Sequence, residues 1–517
     1  MAEAGFDAIV VGGGHNGLVA AFYLARAGKK VLVLERRAVV GGACVTEELF
    51  PGYRISTCSY VMWKLEKKVR DDMALDARGL KLHLVDPAIF FPYEDGRHAI
   101  LWLDEKKTQE SIARLNGHDA ARYPDWVALW GRVTPLIAPF LLTDPPSLSE
   151  VWQRAKQLGE EALLERLLTA SLAELTAEYF EDERVKAMMV YVQDLADPYA
   201  PGGAWAETYF QISGSGGHGF YVVEGGMGSI TEKMGEACAE AGVTVRTEAE
   251  VARVLVEGGR AAGVRLASGE RIAAPLVLSN ADPKRTYRTL FAPADLPNGF
   301  LRRVERLKTD TGYFKFHCVM AHPPDLSRYF AGEPSPHPIT YILIAPSLDH
   351  YARAGAEMRR GEPAAEPICH LQIPTAYDRT LTEKDGHILS IWGLYAPPKL
   401  ARGTWEERRK EAGQAIIDYV SRFVPNFRRD IREWMLMTPK DIETRIGITD
   451  GAIRHLNVIP SQFLNQRPFP GMSYDTPIAG FYLCGSGTHP AGEVTGAPGH
   501  NAAQFILRGD NRRRVAQ

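Results

Sequence analysis

The sequence predicts an α/β protein in which a Rossmann-like parallel sheet, assembled from separate stretches of chain, is joined to a mixed β-sheet domain and a helical cap. Three observations carry this. At 517 residues the chain has room for three to four folding units, and 45% hydrophobic with 24% charged residues is the balance of a globular protein with a large core. Glycine, 48 of 517 residues, is gathered at 12–17, 202–228 and 485–499 rather than spread. The first of these clusters lies between a buried-strand pattern and an amphipathic helix, the order that opens a doubly wound sheet.

Taken in order, residues 7–11 (DAIVV) read as a buried strand, 12–17 (GGGHNG) as a turn, and 18–27 as a helix ended by Gly28. A second strand at 30–34 (KVLVL) ends in Glu35, 18 residues past Gly17. Residues 76–214 read as a mostly helical cap. Within the second cluster, 214–219 (GSGGHG) matches GxGxxG but runs into the strand 220–223, so no helix dipole faces it, and a dedicated NAD(P)H site is not expected. A helix at 230–241 and short strands at 243–245, 251–256, 263–266 and 271–272 lead to a buried strand at 274–280. Residues 291–439 read as a substrate-binding domain with strands at 313–320, 339–344, 368–373 and 388–392 and a helix at 405–423. A last strand, 480–484, feeds the third glycine turn and a helix at 500–507. The nucleotide-binding domain is therefore discontinuous, comprising 1–75, 215–290 and 440–517.

The chemistry follows from the spacing. Gly12 permits the tight turn, Gly14 lets the backbone approach a pyrophosphate, Gly17 allows close helix packing, and the helix N-terminus supplies N–H groups and a positive dipole end. Glu35 is placed to accept from a ribose hydroxyl. This pattern serves NAD and FAD alike. The turn Gly41-Gly42-Ala43, with Thr46 three positions on, resembles the second phosphate-contacting turn of the two-dinucleotide-domain flavoproteins, which implies FAD. Disulfide-reductase chemistry is excluded, because a second cysteine about five residues after Cys44 is missing and Leu49 stands there. Three glycine clusters in one chain point to one extended ligand held at several places.

Together the clusters resemble the phytoene dehydrogenase-related family of FAD oxidoreductases, the group of carotenoid desaturases and retinol saturase, over essentially the whole chain. The stretches 36–60 (RRAVVGGACVTEELFPGYRISTCSY), 438–443 (TPKDIE) and 476–503 (TPIAGFYLCGSGTHPAGEVTGAPGHNAA) look most like the branch of pyridine nucleotide-disulfide oxidoreductase domain-containing protein 2. At Ala43 the chain departs from the carotenoid desaturases, which usually carry Arg there. The resemblance implies that Gly12, Gly14, Asn16 and Gly17 lie at the FAD pyrophosphate, Glu35 and Arg36 at the adenosine ribose, Gly42 and Ala43 on the phosphates, and Val251 against adenine. It puts Gly487, Glu493 and Val494 at the ribityl chain and flavin ring. It also implies an oxidoreductase that desaturates, saturates or isomerises a lipophilic, isoprenoid- or polyene-like substrate by hydride transfer at flavin N5, with oxygen or a quinone as electron acceptor.

Flavin chemistry asks the protein mainly to place a C–H bond and manage one proton. His489, beside the third cluster, is the candidate for that proton, with His218, His317 and His370 behind it. Aromatics such as Trp63, Tyr191, Tyr209, Phe210, Phe314, Phe316 and Trp392 are candidates for a cavity lining or for ordinary core. Two rivals stand: a flavin amine oxidase, which shares the N-terminal half but uses an aromatic cage and a lysine–water pair near the flavin, and a flavin-bearing scaffold that acts through partner binding. Sixty basic against 63 acidic residues, a formal charge of -3, argue against nucleic acid as a partner. Six scattered cysteines without a C-x-x-C pair give neither a metal nor a disulfide framework, and with no room for a signal peptide before the first strand a cytoplasmic location is expected. The apolar segment 135–142 (PLIAPFLL) fits either a buried place beneath a lid or a peripheral membrane contact.

Overall fold

Short runs of apolar residues buried on both faces build the first layer. In the computed structural model, which describes residues 5–192, 194–212 and 219–515, Ala8–Val11 and Val31–Leu34 are buried at every position. They form the middle of a five-stranded sheet in the order Phe481–Leu483, Leu276–Ser279, Ala8–Val11, Val31–Leu34, Thr244–Arg246. Every pair in it is parallel, and strands buried on both faces are what such a sheet requires. The strands come from three separate stretches of chain, so the α/β architecture read from the sequence is borne out. An antiparallel sheet of Val251–Glu257, Arg260–Leu266 and Arg271–Ala273 crosses between two of them.

The helix His15–Arg26 packs beneath this sheet and meets the last helix, Ala497–Val515. They pack tightly at Gly499, where an added Cβ would lie 2.1 Å from the Asn16 carbonyl oxygen. A side chain there would push apart the first and third glycine clusters.

The second sheet has seven strands in the order Ile431–Met437, Tyr313–Met320, His387–Leu394, Ile368–Gln372, Tyr341–Ile344, Ile89–Pro92, His98–Leu101. Two features differ from expectation. Strands 89–92 and 98–101, joined by a polar turn with Gly96 at φ +82°, come from the stretch read as cap and extend the floor sheet instead. The strand 431–437 lies at the sheet edge, with Arg432 and Glu433 exposed and only Leu436 and Met437 buried, so its start carries a weak apolar signal. Along Tyr313–Met320 the faces alternate. Phe314, Phe316 and Cys318 pack into the core beneath helix Trp405–Ser421, whereas Tyr313, Lys315 and His317 point the other way.

Among the described residues, seven α-helices lie between Glu105 and Gln211, in the stretch read as a cap. In the apolar segment 135–142, Leu136, Ile137 and Leu141 are buried. Its Phe140 and Leu141 carbonyls accept from His489 Nε2 (2.8 Å) and Asn501 Nδ2 (2.9 Å), tying the cap to the C-terminal helix. Among the described residues, no helix is long and apolar enough to cross a membrane.

Candidate active site

One continuous cavity of about 400 Å³ runs from the tip of the parallel sheet to the upper face of the seven-stranded sheet. At the first end its wall is backbone. Gly12 turns the chain at φ +98°, a conformation open to glycine. The helix that follows has no side-chain cap and no acidic residue in its first turn. Its first N–H groups are thus left for an anion. Glu35, 6% exposed, closes this end. Its Oε2 accepts from Gly13 N (2.8 Å) and its Oε1 from Arg37 N (2.9 Å), which fixes the carboxylate in the wall. Arg36 donates to the Thr444 and Arg445 carbonyls, and Val251 lines the wall beyond it. Asn16 bridges the first and third glycine clusters through Ser486 Oγ (3.2 Å), while its Oδ1 has no protein partner.

The middle of the cavity is organised by Arg454. Only 2% of its side chain is exposed, and it reaches Asp194 Oδ1 at 2.8 Å and Glu493 Oε1 at 2.6 Å. Tyr313 donates its hydroxyl hydrogen to Asp194, whose Oδ2 also takes the Val458 N–H (2.7 Å). Burial alone would lower the guanidinium's proton affinity, but Asp194 and Glu493 more than offset this and hold it above its ordinary range. Glu493 adopts φ +67°, a left-handed conformation uncommon outside glycine, and its carboxylate is anchored there by Arg454. Arg467, fully buried, donates to five carbonyls, among them Ser486 O (2.7 Å) and Arg454 O (2.7 Å), which pins the Arg454 loop to the third glycine turn.

The far end is floored by the second sheet and walled by Tyr60, Trp63, Tyr191 and Ile453. Strand register sets Lys315 beside Trp392, and Trp392 beside His370, in one row across three neighbouring strands. All three line the cavity. The Lys315 ammonium lies 3.8 Å from the Tyr60 ring centroid, and burial lowers its pKa to about 7. A hydrogen-bonded chain runs from Tyr60 to the Tyr341 hydroxyl (2.9 Å) and on to His370 Nδ1 (2.9 Å).

Of the residues singled out in the sequence, Gly12, Gly14, Asn16, Glu35, Arg36, Gly42, Ala43, Val251, Glu493 and Val494 line this cavity. Gly17 packs behind it, where a Cβ would lie 2.2 Å from the Gly12 carbonyl oxygen, and Gly487 packs against Pro283. His489, expected to handle the proton, is not among the residues lining the cavity, and its Nε2 is hydrogen-bonded with the Phe140 carbonyl. His317 is likewise structural, held between Ser390 Oγ (2.9 Å) and Thr57 O (3.0 Å). The second glycine cluster is corrected in its described part. Met227 N and Gly228 N donate to Ser56 Oγ (3.0 Å) and Thr46 Oγ1 (2.9 Å), so this turn supports the hairpin 46–56 and takes no part in the cavity wall. The GxGxxG look-alike at 214–218, including His218, lies outside the described residues. Trp63, Tyr191 and Trp392 line the cavity, whereas Tyr209, Phe210, Phe314 and Phe316 are core. The six cysteines are all free and buried.

Sequence reading missed Tyr60, Lys315, Asn280, Arg454 and His15. The last follows Gly14 directly and hydrogen-bonds the Glu493 main chain, and its place in the GGGHNG turn was the available signal.

The buried histidines make acid stability predictable. Burial lowers the pKa of His15 and His489 to about 4 and that of His317, His370 and His455 to about 3. The unfolded chain takes up protons below its ordinary histidine value of 6.5 while the folded state does not. This contribution is therefore intact above pH 6.5 and lost as pH falls toward 3–4. Glu66 and Glu207, raised to about 7 by burial, act in the opposite sense between 4.5 and 7, but they are two against six, His98 being lowered to about 4 as well. The thermal midpoint is expected to be lower at pH 5 than at pH 7; an equal or higher midpoint at pH 5 would contradict this balance.

The glycine cradle, the fixed Glu35 carboxylate and the unpartnered Asn16 Oδ1, His15 Nε2 and His455 Nδ1 in one wall fit a dinucleotide. Comparison with known proteins agrees. Residues 17–337 match the family described as flavin containing amine oxidoreductase, and the chain belongs to it. The protein is an FAD-dependent oxidoreductase. It is 32% identical to pyridine nucleotide-disulfide oxidoreductase domain-containing protein 2 of Rattus norvegicus, over 97% of this chain and 93% of that one. It is 28% identical to one of the subunits of limonene dehydrogenase from Castellaniella defragrans, over 97% and 94%. Among solved structures, cyclohexylamine oxidase from Brevibacterium oxydans superposes with a TM-score of 0.58 at 16% identity, over 98% of each chain, a likeness of fold. The family resemblance seen in the sequence is thereby borne out.

Proposed function

We propose that the protein desaturates, saturates or isomerises a lipophilic, isoprenoid- or polyene-like molecule, with electrons passing to oxygen or a quinone. The observation that carries this reading is the single cavity, glycine-walled at one end and aromatic at the other, so that cofactor and substrate share one buried space. The relative whose name specifies limonene, an isoprenoid, supports it. Bound FAD supplies the two-electron chemistry. Gly12, Gly14 and Asn16, with Gly42 and Ala43 opposite, hold the pyrophosphate; Glu35 and Arg36 hold the adenosine ribose; Val251 lies against adenine. Glu493, kept in place by Arg454, and Val494 meet the ribityl and ring end, with Gly487 packed behind them. Tyr60, Trp63, Tyr191 and Trp392 exclude water and give the substrate an apolar wall. The ring atom open to a bound molecule is His370 Nε2, because Nδ1 is engaged by Tyr341; this is where a proton is exchanged.

A second reading, amine oxidation, is favoured by one observation: an aromatic-walled chamber that contains a buried lysine, Lys315. Product analysis separates the two. Incubation with isoprenoid hydrocarbons and alcohols is expected to yield products differing by two hydrogens or by double-bond position. Ammonia release from an amine panel, with isoprenoids recovered unchanged, would overturn the lipid reading.

A further inference from the structure

Buried polar atoms in folded proteins are almost always hydrogen-bonded, and each exception asks for an explanation. On the floor of the aromatic chamber three exceptions lie side by side: Lys315 Nζ, Trp392 Nε1 and His370 Nε2. The side chains that carry them are 2%, 7% and 2% exposed. They occupy one row across three hydrogen-bonded strands, and the His370 and Trp392 ring centroids are 4.8 Å apart. Leaving one such group unsatisfied costs about 1–3 kcal/mol, more if it is charged, so three together describe a place made for an external group.

The chemistry of that group follows from the donors. An ammonium and an indole N–H can only donate, so the incoming atoms are acceptors. Charge narrows the choice. The nearby carboxylates of Asp194 and Glu493 are both engaged by Arg454, and the row itself contains no acid. A positive group buried without a counter-charge is costly unless the ligand brings one. We propose that Lys315 and Trp392 form a carboxylate-binding subsite, with His370 beside it as the proton acceptor, so that the preferred substrate is a lipophilic acid, its chain against the aromatic wall and its carboxylate on the sheet floor. This rests on the lipophilic-substrate reading above and narrows it. Burial and the neighbouring Lys315 and Arg454 charges keep His370 neutral; an anion on Lys315 weakens that repulsion and makes Nε2 a better proton acceptor.

The test uses the FAD-loaded protein and three ten-carbon probes, decanoate, decan-1-ol and decylamine, titrated while the visible flavin band is followed. Decanoate is expected to bind at least about tenfold more tightly than decanol, the size of a hydrogen bond to a charged group. Lys315→Met should erase that preference, Lys315→Arg should keep most of it, and Trp392→Phe should reduce it. The Met variant removes a buried unpaired charge and fills the same space, and its FAD content reports that it is folded. Equal affinity for decanoate and decanol, tighter binding of decylamine, or a preference that survives in Lys315→Met would each overturn the subsite. The first of these leaves the lipophilic reading intact, with only water on the row. Failure of all three probes and of neutral isoprenoids to perturb the flavin would remove that reading and the subsite together.

Discussion

Gly14→Val is expected to yield folded protein that purifies without its yellow cofactor. An added Cβ at this position would lie 2.7 Å from Asn280 Nδ2, and Asn280 is itself packed among Gly12, Gly14 and Gly17. The branched methyls of valine then have only the cavity to enter, at the place where the uncapped helix end faces a pyrophosphate. Overpacking costs about 1–3 kcal/mol and lost phosphate contacts add to it, so FAD affinity should fall by at least about ten- to hundredfold. Gly131→Ala is the matched control, since a Cβ there meets nothing within 4 Å, and it should retain FAD in full. Absorbance of the purified proteins after gel filtration reads both. Retention of FAD by Gly14→Val would mean that the pyrophosphate lies elsewhere in the cavity.

Arg454→Met should produce the largest loss of stability. The substitution leaves Asp194 and Glu493 without their shared counter-ion, and removing one member of a buried ion pair costs about 3–5 kcal/mol. A fall in thermal midpoint on the order of 10 °C follows. Because Glu493 sits at φ +67° in the cavity wall, its release should also weaken FAD binding, so at equal FAD concentrations the variant's midpoint should rise less on adding FAD than that of the parent. A midpoint within about 1 °C of the parent would show that the triad contributes little.

The comparison of sequence with structure is uneven for physical reasons. The nucleotide end was legible because it is local: strand, turn, helix and second strand lie within residues 8–35, where Gly12 takes a positive φ and Gly17 packs against the Gly12 carbonyl. The floor strands were legible as apolar runs, but not the row that Lys315, Trp392 and His370 form. That row exists only through the pairing of strands some twenty to eighty residues apart, and taken singly each residue reads as core. Arg454 lies in an irregular loop without periodicity, and its partners Asp194 and Glu493 are 260 and 39 residues away. His489 lies outside the cavity lining because proximity in sequence to the third glycine turn does not set where a ring points, and its Nε2 meets the Phe140 carbonyl. The second glycine cluster was read as ligand-binding when close packing against Thr46 and Ser56 accounts for its described part.

The most direct measurement of the central claim is anaerobic stopped-flow mixing of the FAD-loaded protein with lipophilic substrates, following loss of the oxidised flavin band. Isoprenoid- or polyene-like lipids, acids foremost, are expected to bleach the flavin at rates that saturate with concentration, and oxygen or a quinone should restore the band. A flavin that stays oxidised against every lipid fraction while an amine bleaches it would contradict the account and establish amine oxidation in its place.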